Sequence, residues 1–291
     1  MRLCFFDDNR LGLVTGDRVH DVSAVLDRLP ASRYPFPSHD ALVAALPELR
    51  SAIAPSGAGV PLASIRLRAP VLNPGKIVAA PVNYRKHLQE AIEDPATFAP
   101  AHVRQIQETG LFLKATSSLV GPGDKVRIVH PERRTDHEVE LAVVIGREGC
   151  FISAARAADH IAGYAIGLDI TIRGPEERSL RKSLDTYTVL GPWLVTADEV
   201  PDPAALDLAL DVNGKARQRA NTRDLILDIP ALIEFASSFY TLRPGDILLT
   251  GTPEGVGPVV PGDVMDARIE GIGAMRVAVE GASAARHRGE P

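Results

Sequence analysis

Cysteine is scarce: Cys4 and Cys150 are the only two in 291 residues, too few for a disulfide framework. No stretch approaches the roughly 18–20 consecutive apolar residues of a membrane-spanning helix. The start, Met1-Arg2-Leu3-Cys4-Phe5-Phe6-Asp7-Asp8, meets acid before the apolar region of a secretion signal could form. A basic excess is also missing. Lys and Arg total 32 against 37 Asp and Glu, a formal net charge of −5, so phosphate neutralisation is disfavoured and with it nucleic acid as a partner. No glycine fingerprint follows a first strand and no clean βαβα alternation appears, which disfavours a dinucleotide fold. These absences predict a reduced, cytoplasmic protein that engages neither membrane nor nucleic acid. What is present is ordinary: 45% apolar and 24% charged residues, in a chain long enough to fold without disulfide or metal support.

Punctuation divides the chain. Residues 1–70 read as a small N-terminal α/β domain, with short strands at 1–6, 11–15 and 19–22 separated by Asp7-Asp8-Asn9 and Gly16-Asp17 turns. A helix is predicted from Ser38, which can cap, with Asp40 in its first turn and Leu42, Ala45, Leu46 and Leu49 on one face. Pro47 should end it at Leu46 or kink it toward Ile53. Residues 71–281 read as a strand-rich second domain, so the fold class is α+β. Strands are expected at 76–80, 125–129, 139–145, 165–172, 193–196, 206–212, 247–250 and 264–269. Three of them follow Pro-Gly-Asp turns at Pro122, Pro244 and Pro261. Helices are expected at 84–93, 103–109, 153–158 and 230–240. Residues 282–291 read as a flexible tail.

Chemistry-bearing residues fall at telling spacings. In His137-Glu138-Val139-Glu140-Leu141 a strand would point Glu138 and Glu140 to one face. On spacing alone a solvated strand start is the favoured reading. Asp169 sits on the small face of a second predicted strand, with Ala165, Gly167 and Thr171. An acid there must be paired or metal-bound, or else satisfy backbone groups at a strand end, and the residues leave these options even. Three carboxylates without Cys or His partners would suit a hard divalent cation. Asn83 can cap a helix on which His87 and Glu90, three apart, share a face. A carboxylate beside an imidazole suits a water-activating base, although an ordinary surface pair has the same spacing. Lys182 alone reads as solvated. The glycine-rich 250–257 turn can aim backbone N–H groups at an anion.

Taken in order, the motifs become specific. Asn83-Tyr84-x-x-His87-x-x-Glu90, Phe112-Leu113-Lys114, Glu138-x-Glu140-Leu141, Gly167-x-Asp169 and Lys182-Ser183-x-Asp185-Thr186 are followed by Leu190-Gly191-Pro192-Trp193, Asn221-Thr222 and Pro244-Gly245-Asp246 through the 250–257 turn. This series resembles the fumarylacetoacetate hydrolase family from about Lys76 to Val279. The resemblance implies a mixed β-roll or sandwich core with a small N-terminal domain, assembled as a homodimer. It implies Glu138, Glu140 and Asp169 as ligands of Mg²⁺, or of Mn²⁺ or Ca²⁺. It further implies His87 and Glu90 as a water-activating catalytic dyad, Lys182 as a catalytic cation beside the metal, and Arg173 and Thr252 as substrate-binding residues.

The implied activity is hydrolysis of a carbon–carbon bond in a small-molecule keto or diketo acid, an acylpyruvate or relative, in aromatic or sugar-acid catabolism. Oxaloacetate-type decarboxylases and hydroxymuconate-type isomerases share the family, and a metal-binding member without turnover is a third reading. The retained His-x-x-Glu favours hydrolysis. Pro81-Val82, Ala115 and Gly174-Pro175-Glu176 depart from the common pattern; they leave the ligands intact and alter the substrate-facing neighbourhood. Residues 91–110, interrupted by proline directly after the dyad helix, are expected to form a lid that carries Glu90 into reach of His87.

Overall fold

Short apolar runs in the first 21 residues build three antiparallel strands, β1 (Arg2–Phe6), β2 (Arg10–Thr15) and β3 (Arg18–Asp21). The computed structural model describes residues 1–55, 57–95, 97–98 and 106–281. Helix α1 (Ala41–Leu49) starts two residues later than expected: Asp40, not Ser38, is the cap, its Oδ1 accepting from Val43 N at 3.0 Å. Pro47 lies inside it without ending it. An interior proline costs about 3 kcal/mol. Four buried side chains, Leu42, Val43, Leu46 and Leu49, each contribute roughly 1.5–3 kcal/mol, so packing wins.

The chain then adds β4 (Val60–Pro61), β5 (Ile77–Ala79), α2 (Arg85–Glu93), α3 (Ile106–Thr109), β6 (Phe112–Lys114), β7 (Leu119–Val120), β8 (Val126–Ile128) and β9 (Thr135–His137). Next come β10 (Val139–Ile145), β11 (Ile161–Asp169), β12 (Thr171–Ile172), α4 (Arg178–Lys182), β13 (Thr188–Thr196), β14 (Asp207–Val212) and β15 (Lys215–Asn221). Helix α5 (Ile229–Phe239), β16 (Ile247–Leu249), β17 (Gly257–Pro258), β18 (Val264–Ile269) and β19 (Gly273–Gly281) complete it. The expected helix at 153–158 is a 3₁₀ turn over Ala154–His160, and of the one expected at 103–109 only Ile106–Thr109 falls among the described residues. The 282–291 tail lies outside them.

The protein is thus strand-rich α+β. Its central sheet runs β4-β3-β2-β1-β13-β11-β10-β16-β5-β6, with β7 on β13. Pairing is mixed: β5–β16 and β7–β13 are parallel, and most other pairs antiparallel. A five-stranded sheet, β15-β14-β18-β19-β8, and a small one, β12-β9-β17, complete the roll. Strand β10 is buried on both faces, so alternation sorts its residues into two cores. Val139, Leu141, Val143 and Ile145 join one cluster with Leu210, Met265 and Ile233; Ala142 and Val144 join the other with Leu46 and Phe5. The first 70 residues share both: Cys4 and Phe6 enter the first cluster, Leu3 and Phe5 the second, and β1 pairs with β13. Among the described residues no helix is long and apolar enough to cross a membrane.

Candidate active site and metal centre

The even face of β10 carries acids where it leaves the core. Glu138 and Glu140 precede Ala142 and Val144 on it, and antiparallel pairing sets Glu140 opposite Gly167, two residues before Asp169. Asp169 N donates to Glu138 O at 2.9 Å, which locks the register at the site. Among the described residues Glu138, Glu140 and Asp169 form one buried cluster, with a carboxylate oxygen of each within 4.8 Å of the others. Their exposures of 5%, 1% and 1% overturn the solvated-strand reading.

Buried like charges need cations between them. Lys182 Nζ donates to Glu138 Oε2 at 2.7 Å, Asp169 Oδ2 at 2.6 Å and Thr171 Oγ1 at 2.6 Å, so Lys182 is buried and bonded rather than solvated. Lys114 Nζ donates to Asp169 Oδ1 and to Tyr187 O. Burial alone would raise the Glu138 carboxyl, but Lys182 and Arg173 outweigh it and hold it at about 2. Glu140 accepts from Gly251 N at 2.6 Å, and burial with the charges of Asp169 and Glu138 pushes it well above the usual carboxylate range. Lys182, Lys114 and Arg173 thus bond to Glu138 and Asp169, whereas Glu140 accepts a backbone N–H. The centre's donors are hard oxygens on all sides, so the residues fit a divalent cation of the Mg²⁺ or Mn²⁺ kind.

Helix α2 supplies the second element. His87 is buried and its Nδ1 pairs with Glu90 Oε2 at 2.8 Å. Glu90 Oε1 in turn accepts from Gly255 N at 2.9 Å. The dyad is therefore preformed, and no closure of 91–110 is needed to assemble it; residues 96 and 99–105 of that segment lie outside the described residues. Asn83 does not cap α2. Its Nδ2 donates to Leu227 O and Thr250 O while its Oδ1 accepts from Leu227 N, tying the helix entrance to the end of β16. The glycine-rich turn does aim N–H groups at anions, but the anions are the protein's own Glu140 and Glu90. Gly251 and Gly255 take φ of +98° and +88°, and a Cβ on them would meet Asn83 Cβ at 2.7 Å and Arg217 O at 2.2 Å.

One cavity brings His87, the three carboxylates and Lys182 together, and Arg173 and Thr252 also line it. Arg173 Nε donates to Asp136 Oδ2 at 2.7 Å and its NH2 to Glu138 Oε1 at 3.1 Å, with the guanidinium 4.8 Å from the Phe98 ring centroid. That ring stands edge-on to His87 at 5.5 Å. The Thr252 hydroxyl donates to Val139 O at 2.9 Å and accepts from Gln218 Nε2 at 2.8 Å.

Sequence reasoning gave no role to Lys114, Asp136, Gln218, Arg178 or Arg181. Asp136 had a signal: Asp136, Glu138 and Glu140 alternate. So had the arginines, since Arg178, Arg181 and Lys182 fall at i, i+3, i+4. Gln218 had none, being the one fully buried side chain in an otherwise polar edge strand.

Comparison with known proteins agrees with this geometry. The family described as fumarylacetoacetate (FAA) hydrolase, C-terminal, matches residues 76–280. A maleylpyruvate hydrolase of Aquipseudomonas alcaligenes is 53% identical over 284 residues, covering 96% of this chain and 99% of the relative. The crystal structure of a maleylpyruvate hydrolase from Sphingobium sp. SYK-6, in complex with manganese(II) and pyruvate, superposes with a TM-score of 0.83 at 44% identity, covering 97% of this chain and 100% of that one. A mitochondrial oxaloacetate tautomerase of Bos taurus is 36% identical over 278 residues, covering 90% of this chain and 85% of the relative.

Proposed function

This chain belongs to the fumarylacetoacetate hydrolase family, and on that premise we propose that it is a metal-dependent acylpyruvate hydrolase whose substrate is maleylpyruvate. Water cleaves the bond between the pyruvoyl methylene and the acyl carbonyl, giving maleate and pyruvate. The observation that carries this reading is the meeting in one cavity of a buried three-carboxylate centre and a preformed His87–Glu90 pair. Hydrolysis needs a group that activates water, whereas tautomerisation of a keto acid consumes none.

Glu138, Glu140 and Asp169 would hold Mg²⁺ or Mn²⁺, which when bound supplies Lewis-acid polarisation of the diketo oxygens. His87 acts through Nε2, because Nδ1 is held by Glu90. Glu90 fixes the tautomer and stabilises the imidazolium formed when His87 takes a proton from water. Gly255 N–H holds Glu90 in turn, so the pair needs little reorganisation. The oxygen adds to the acyl carbonyl, and the carbon–carbon bond opens with its electrons moving into the pyruvate half as an enolate, whose methylene carbon then takes the proton held by His87 to give pyruvate. The Lys182 ammonium, already among three oxygens, stabilises that negative charge. Phe98 and the buried surround of His87 shield its imidazole from bulk water.

The test is an assay of the Mn²⁺-loaded protein against maleylpyruvate, acetylpyruvate and oxaloacetate, following pyruvate release and keto–enol exchange separately. Pyruvate from maleylpyruvate supports the proposal. Exchange of oxaloacetate without pyruvate from either acylpyruvate would replace it with a tautomerase.

A further inference from the structure

The cavity has a second charged wall that the steps above do not use. Helix α4 presents Arg178, Arg181 and Lys182 to it, the i, i+3 and i+4 positions of one face, while Leu180 points outward and is 58% exposed. Lys182 reaches the carboxylate centre. Arg181 is buried, with Nε donating to Glu176 O at 2.8 Å, which fixes its plane. Arg178 lies four residues before Lys182, roughly 6 Å of helix rise away. Its guanidinium carbon is 5.6 Å from the centroid of the Phe112 ring. Arg178 also borders an outer groove with Thr109, Leu111 and Tyr240, which places it toward the mouth of the cavity.

Charge around these groups is lopsided. Lys114, Lys182 and Arg173 are hydrogen-bonded to the buried carboxylates Asp136, Glu138 and Asp169. Glu176 also pairs with Arg133, and Glu177 also accepts from Ser179 N at the start of the helix, so neither acid serves the arginines alone. Once a divalent cation occupies the centre, the cavity carries net positive charge on the α4 wall. Burial already lowers the hold of both guanidiniums on their protons. The charge of Arg181 adds to this for Arg178, and that of Arg173 for Arg181. An anion between them would relieve that repulsion, and a carboxylate matches the planar fork of arginine.

We propose that Arg178 and Arg181 form a carboxylate-binding subsite that selects acylpyruvates whose acyl chain ends in a second carboxylate. The pyruvoyl end belongs at the metal centre, so the subsite reads the acyl end and the maleate half of the products. This inference rests on the acylpyruvate reading, and the two are tested apart.

Arg178→Met, Arg181→Met and the conservative Arg181→Lys are compared with wild type as Mn²⁺-loaded full-length protein. On maleylpyruvate each Met variant should lose roughly 10- to 100-fold in kcat/KM, the usual range for a hydrogen bond to a charged group. Arg181→Lys should recover part of the loss, and activity on acetylpyruvate, whose acyl end is neutral, should change by less than about threefold. By calorimetry the Met variants should bind maleate at least about tenfold more weakly and pyruvate as wild type does. Equal losses on both substrates, or weakened pyruvate binding alongside maleate, would overturn the subsite, as would unchanged maleate affinity. If wild type cleaved neither acylpyruvate, the functional proposal would fall, while the maleate and pyruvate affinities would still decide the subsite.

Discussion

Asp136→Asn should destabilise the protein by about 3–5 kcal/mol while leaving its shape unchanged. Asp136 is fully buried, with Oδ1 accepting from Arg134 Nε and Oδ2 from Arg173 Nε, both at 2.7 Å. The Arg134 side chain is 40% exposed, so that arm is screened and contributes roughly 0–1 kcal/mol. The Arg173 side chain is 14% exposed, and there the amide replaces an ion pair that solvent cannot rescue. Removing one partner of a buried pair typically costs about 3–5 kcal/mol, because the other charge is stranded. Burial alone would lower the Arg173 guanidinium's hold on its proton, but Glu138 and Asp136 outweigh it and keep Arg173 charged. In the variant Glu138, at 3.1 Å, is left to balance it.

For a chain of this size about 1 kcal/mol moves Tm by roughly 2 °C, so scanning calorimetry of the metal-free protein should show a fall of roughly 6–10 °C. The double variant Asp136→Asn with Arg173→Met should be markedly more stable than Asp136→Asn alone, because it removes the stranded charge with its partner. A fall of less than about 2 °C, or strictly additive effects, would refute the claim that this pair holds Arg173 against Glu138.

His87→Ala should lower turnover of maleylpyruvate by roughly 10²–10⁴-fold in a coupled pyruvate assay with affinity for pyruvate retained, and turnover at the wild-type rate would remove His87 as the base. Burial and the charges of Asp169 and Glu138 push Glu140 well above the usual carboxylate range, so Mn²⁺, which needs its ionised form, should bind more tightly as pH rises, and calorimetry across pH checks that trend; an affinity independent of pH would remove Glu140 from the ligand set. In the metal-free protein Glu138 works in the opposite sense. Its carboxyl is lowered from 4.5 to about 2, so its contribution to stability is present above pH 4.5 and is lost as pH falls toward 2, which acid titration of wild type against Glu138→Gln checks.

Strand periodicity was legible because it is local. The 139–145 strand and the split of its faces follow from alternation alone, as does Asp169 on the small face of its neighbour. Helix limits were less legible where tertiary packing overrode local chemistry. Pro47 reads as a stop or a kink, and four buried side chains carry α1 through it. Asn83 reads as a cap because its side chain favours caps in isolation. In the fold its amide is claimed by Leu227 and Thr250, 144 and 167 residues downstream, and no local signal reports that. The same holds for Lys114, whose partner Asp169 lies 55 residues away.

The glycine-rich turn at 250–257 shows how far a motif carries chemistry without naming its target. Its sequence says that backbone N–H groups are free to converge on an anion, and a substrate oxygen is the natural candidate. In the fold Gly251 N–H goes to Glu140 and Gly255 N–H goes to Glu90. One turn thus grips a carboxylate of the three-acid cluster and the acid paired with His87. A Cβ at either glycine would collide with Asn83 or with the Arg217 carbonyl, so neither grip survives substitution without backbone movement. The spacing between the three-carboxylate cluster and the His87 imidazole is therefore tied to this turn. The His87–Glu90 pair is held through the same turn, because Gly255 N–H fixes the second oxygen of Glu90.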